Sequence, residues 1–144
     1  MSEAAIPAGR RTRSGARRLA LEILYQADLT ARSPSDVLAG LTATGRRVPP
    51  FTRELVTGVE EHRPDLDTLL ARHVRGWTID RLAAVDRNVL RLAVFELLHR
   101  ADVPPAAAIS EAVQTAKALS TEQSGRFVNG ILGAIAKELA AGER

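Results

Sequence analysis

Arg10, Arg11, Arg13, Arg17 and Arg18 fall within the first eighteen residues, against a single acid, Glu3. Guanidinium groups in such density suit forked contacts to phosphate, so the segment reads as an arm for nucleic acid or an acidic membrane surface; the alternative is a solvated tail. Arg17 and Arg18 fall in the first turn of the helix expected there. The macrodipole disfavours positive charge at that place by about 0.3–1 kcal/mol per residue, and a sequence selected for helix stability alone would carry acids instead. Tyr25 stands seven residues after Arg18, about 20° short of two full helical turns, so the two share a face. A ring aligned with guanidinium groups is what single-stranded RNA recognition requires, because unstacked bases need a flat partner and phosphates need charge. The other reading of Tyr25 is a residue at the rim of a helical core.

A second constellation lies near the far end. Ser124, Arg126 and Phe127 open the last expected helix, where free backbone N–H groups attract anions, so Ser124 with Arg126 is placed to hold a phosphate beside a stacking face on Phe127. The alternative is a capped helix with Phe127 as a core anchor. Arg91 is the third candidate, a charge that interrupts an apolar helix and is expected to surface. An enzyme reading finds no constellation. The glycine-rich phosphate loops and the GxSxG elbow are absent, and His62, His73 and His99 lack the spacing of a metal site. Neither a metal nor a cofactor is expected.

The elements that position these residues are helical. Ala and Leu supply 42 residues, against 22 for Ile, Val and the aromatics, which favours helix over pleated sheet. Proline then sets the boundaries. The first helix is expected from Ser14, as N-cap, to about Ala31, with Ala16, Leu19, Ala20, Ile23, Leu24 and Ala27 as its buried stripe. A short helix follows Ser33-Pro34 and stops near Gly45. Residues 51–62 and 66–76 form two further helical stretches separated by Pro64, and Thr78 caps a brief turn to Leu82. Asp86 to Arg100 is apolar almost all round and belongs at the centre of a bundle. One helix follows Pro104-Pro105 and a last one follows Ser124. Gly130 and Gly133 in that last helix suggest a close approach to a neighbour. The expected architecture is all-α, about seven helices, with a flexible basic arm over residues 1–13 and one helical domain over 14–144 in two bundle subdomains, roughly 14–76 and 77–144.

Composition agrees with this picture. The chain has 144 residues, no cysteine, 45% hydrophobic residues and a net charge of +3. Absence of cysteine excludes disulfides, thiolate nucleophiles and iron–sulfur clusters, and suits a reducing compartment. No apolar run approaches the roughly 20 residues needed to span a bilayer, so a soluble, cytoplasmic protein is expected, without a membrane partner. The charge is unevenly spread: residues 1–18 carry a surplus of four positive charges and the remainder one negative.

The run VDRNVLRLAVFELLHRADVPPAAAISEAVQTAKALS, the segment SGRFVNGIL and the opening ARRLALEILYQAD together resemble the NusB family of bacterial transcription antitermination factors, over nearly the whole chain. The resemblance implies an all-helical fold of two bundle subdomains and a non-enzymatic role. It implies that the chain pairs with the small-subunit ribosomal protein NusE, binds the single-stranded boxA element of ribosomal RNA leaders, and joins the RNA polymerase elongation complex with other Nus factors. Matched by position, Arg13 and Arg17 stand for the family's basic arm, Tyr25 for the aromatic of its first helix, Arg91 for a basic residue of the central helix, and Arg126 and Phe127 for the basic–aromatic pair of the last. Asp86 falls where the family sets an acid against NusE. Ser14 and Gly15 interrupt the arm, so phosphate contacts are expected to spread to Arg10, Arg11 and Arg18; Gln123 and Gly125 replace acidic or bulkier residues. Similar helical domains also occur fused to ribosomal RNA cytosine methyltransferases, but a chain ending at Arg144 is expected to lack the α/β domain such an enzyme needs. A bundle that docks a ribosomal protein without touching RNA is the other alternative.

Overall fold

In a computed structural model, which describes residues 12–76 and 78–142, all the regular structure of the described residues is helical. The order is α1 (Arg13–Thr30), α2 (Pro34–Ala43), α3 (Pro50–Ala71), a 3-10 turn at Ile79–Arg81, α4 (Ala84–His99), α5 (Pro105–Leu119) and α6 (Glu122–Gly142). None of these helices is long and apolar enough to cross a membrane. The chain divides into two compact units, Met1–Glu61 and His62–Arg144, so the division falls inside α3.

In the first unit α1 packs on α2. The expected stripe from Ala16 to Ala27 is buried, joined by Leu21. The helix starts earlier than Ser14, however. Thr12 is the N-cap, its hydroxyl accepting from the Gly15 N–H at 3.3 Å, which leaves Ser14 inside the first turn. α2 begins as its sequence indicates, with Pro34 in the first turn and the Ser33 hydroxyl accepting from the Asp36 N–H. Glu60 of α3 reaches back to this helix start: its carboxylate accepts from the Ser35 N–H at 2.8 Å and from the Ser35 hydroxyl at 2.7 Å. Negative charge at a helix N-terminus is favourable, so this contact ties α3 to α2.

Pro64 does not end its helix. α3 runs unbroken from Pro50 to Ala71 with Pro64 inside it, so the two helices expected around that proline are one. An interior proline removes a hydrogen bond and costs about 3 kcal/mol. Leu66 and Leu70, one turn apart just beyond it, are fully buried, and each contributes about 1.5–3 kcal/mol, which offsets the loss.

In the second unit α4 packs against both α5 and α6, and α5 against α6. Residues 88–96 of α4 are buried without interruption, as its all-round apolar character requires. The close approach expected at Gly130 and Gly133 lies elsewhere. A Cβ on either would meet nothing within 4 Å, whereas one on Gly125 would stand 2.5 Å from Lys117 Cγ. The methylene stem of Lys117 on α5 thus occupies the space that a side chain at Gly125 would fill. At the end of α3, Arg72 and His73 both reach Glu138 of α6, at 2.6 and 3.0 Å.

Candidate nucleic-acid interface

The basic residues of α1 are set out by its first turns. With Thr12 as cap, Arg13 is the first helical residue and Arg17 stands one turn on; the first turn holds no acid. Both guanidinium groups lie over the ring of Phe51 at the start of α3, with Cζ at 4.5 Å from its centroid for Arg13 and 5.5 Å for Arg17. Cations over an aromatic face are attracted by its quadrupole. Arg13 and Arg18 are exposed and Arg17 half-buried. Tyr25 is 36% exposed, on the same continuous helix as Arg18, so a ring and a guanidinium share one accessible face. Arg10 and Arg11 lie outside the described residues.

A buried acid and the start of the last helix come together in the second unit. The N-cap of α6 is Thr121, not Ser124: the Thr121 hydroxyl accepts from the Ser124 N–H at 2.9 Å. Ser124 is buried, and its hydroxyl donates toward Asp86 Oδ2 at 3.2 Å, with Ser120 Oγ 3.0 Å away. A phosphate on Ser124 would therefore meet a carboxylate and a hydroxyl already engaged, and the anion site expected from Ser124 and Arg126 is not built. Arg126 is exposed, and Phe127 is half-buried.

Asp86, Ser124 and Phe127 line one cavity of about 300 Å³ together with Arg81, Leu82, Ala83, Thr121 and Gln123. Asp86 is 8% exposed, and its Oδ1 is buried with no hydrogen-bond partner. Burial pushes its carboxyl above the ordinary aspartate range, while the hydrogen bond from Ser124 pulls the other way. A buried acceptor left unpaired costs about 1–3 kcal/mol, so this cavity is suited to a group that donates a hydrogen bond.

Arg91 does not surface. It is 2% exposed, and its Nε and Nη2 donate to the two carboxylate oxygens of Asp67 on α3, at 2.8 and 3.1 Å. Its charge is consumed inside the second unit, so it leaves the set of exposed arginines. Spacing marked Phe51 only as the first apolar position of the 51–62 helical stretch and did not mark Asp67. Phe51 had one further visible signal, an aromatic directly behind Pro49-Pro50, where a helix must start; Asp67 had none, being 24 residues from its partner. Elsewhere His62 and His99 stack at 4.0 Å beside Phe95. Among the described residues no group of three or more His, Asp or Glu could hold a metal ion.

Comparison with known proteins bears on all of these residues. The model of the NusB family matches residues 14–137. A transcription antitermination protein NusB from Saccharopolyspora erythraea is 50% identical over 128 residues, covering 86% of each chain. Among solved structures, NusB of T. maritima superposes with a TM-score of 0.80 at 36% identity, covering 88% of this chain and 92% of that one. A crystal structure of antitermination factors NusB and NusE in complex with dsRNA gives 0.78 at 32% identity, covering 89% of this chain and 98% of its counterpart.

Proposed function

The chain belongs to the NusB family, and we propose that it is an RNA-binding transcription antitermination factor which, paired with NusE, binds the single-stranded boxA element of ribosomal RNA leaders. In that role it accompanies RNA polymerase, with other Nus factors, through terminators. It is a binding factor, not an enzyme. The observation that carries this reading is the likeness, at 32% identity over 89% of this chain, to a structure of antitermination factors NusB and NusE in complex with dsRNA, which supports RNA binding together with NusE.

In this role the labour is divided among the basic, aromatic and acidic residues. Arg13, Arg17 and Arg18, extended by Arg10 and Arg11, capture phosphates; Tyr25 offers a base a flat face on the same helix. Arg126 and Phe127 add a second basic–aromatic pair on α6. The Asp86 cavity, which holds one buried acceptor without a donor, takes a hydrogen-bond donor from NusE. Arg91 has no part in RNA contact, because its guanidinium is spent on Asp67.

Phosphate capture has a measurable signature. Each phosphate neutralised on a single strand contributes about 0.7 to the slope of log affinity against log salt. Fluorescence anisotropy with a labelled boxA RNA should show affinity falling steeply with salt. Arg13→Ala and Arg17→Ala should each flatten the slope by about 0.7. Salt-independent binding, or variants with the slope of the unmodified chain, would contradict phosphate capture by the arm.

A further inference from the structure

The arm is organised around a residue with no place in the scheme above. Phe51 is the second residue of α3, after Pro50, and is half-buried, so part of its ring remains accessible. Thr52, its neighbour, is fully buried, and the Thr52 hydroxyl donates to the Ala16 carbonyl at 2.9 Å. Ala16 lies between Arg13 and Arg17. That single buried bond therefore fixes the start of α3 against the turn of α1 from which both arginines project, and brings the ring of Phe51 under the two guanidinium groups.

Like charges four residues apart on a helix repel, and Arg13 stands at the positive end of the macrodipole. The ring quadrupole draws each of them inward and narrows the rotamers they sample. A long side chain loses that freedom on fixing a phosphate, so arginines already held on a ring lose less when RNA arrives. We propose that Phe51 is a positioning residue of the RNA site: it preorganises Arg13 and Arg17 as one two-guanidinium clamp for the phosphate backbone, with Thr52 as the anchor that sets its register. The inference rests on reading the chain as an RNA-binding factor and deepens it by naming what holds the arm ready.

The test is a double-mutant cycle with the full chain and a labelled single-stranded boxA RNA, each variant checked for an unchanged thermal unfolding curve. Phe51→Leu keeps apolar bulk and removes the ring. Losing the preorganisation of two long side chains corresponds to a loss of about fivefold or more in affinity. Because the arginines remain, the salt slope should stay that of the unmodified chain. Phe51→Tyr should restore binding, and in an Arg13→Ala/Arg17→Ala background Phe51→Leu should have no further effect. Phe51→Met serves as a second ringless variant should the leucine variant lose stability. Full affinity in a ringless variant, or a loss that persists undiminished without the two arginines, would overturn the inference alone. No RNA binding by the unmodified chain would overturn the functional reading and this inference with it.

Discussion

Arg91 and Asp86 sit on one helix, carry opposite charges and are both buried, yet their environments differ. Arg91 has a forked partner in Asp67, to which Arg63 also approaches at 3.6 Å. Removing one partner of a buried pair leaves an uncompensated charge, so Asp67→Ala should destabilise the fold by about 3 kcal/mol in urea unfolding. A cost below about 1 kcal/mol would mean that water reaches the guanidinium once Asp67 is gone. Asp86 lacks a partner at Oδ1, and burial raises its carboxyl. The folded chain therefore binds a proton there more readily than the unfolded chain. The stability that the group contributes is fully present below the ordinary aspartate value, near about 3.9, and is lost as pH rises through the raised value. Asp86→Asn removes that dependence, so its stability should gain on that of the unmodified chain as pH rises through the raised value, followed by thermal unfolding across the range. A difference that is constant with pH would show that the carboxyl is solvated. The two residues also mark what could be read at this scale. Asp86 was visible as an acid at a helix start, whereas the burial of Arg91 depended on a partner in another helix, beyond any local window of sequence.

Helices were legible where periodicity carried the information and less so where a single residue did. The stripe of α1 and the all-round burial of α4 follow from spacing alone, because a 3.6-residue repeat leaves few alternative faces. Caps were missed by three residues or fewer: Thr12 rather than Ser14 and Thr121 rather than Ser124 start their helices. Each pair holds two hydroxyls of similar capping ability, and the choice depends on which one meets a free N–H. Pro64 is the larger failure. Local chemistry breaks the helix there, and burial of Leu66 and Leu70 on the far side overrides it. Pro64→Ala should restore the missing N–H to the Glu60 carbonyl and stabilise the protein by about 1–3 kcal/mol. Thermal unfolding measures it directly, and a destabilised alanine variant would mean that α3 needs a bend which the proline supplies.

At the scale of the whole molecule a net charge of +3 conceals a separation of roles. The amino-terminal helix presents arginines and a tyrosine, and the α4–α6 side of the second unit presents a buried acid short of a donor. One surface is suited to phosphates and bases, the other to a donor from a protein partner, and neither needs a catalytic group. The arm could be read from composition; its organisation on Phe51 could not, since that contact joins residues on two helices whose separation in sequence is filled by a third. On the proposed joint role, RNA and NusE are coupled ligands, and each raises the affinity of the chain for the other by the same factor. The direct measurement is the affinity of the chain for boxA RNA with and without saturating NusE, at one salt concentration. At least a tenfold tighter complex with NusE is expected, about 1.4 kcal/mol of coupling; an affinity that NusE leaves unchanged would contradict a joint RNA-binding role.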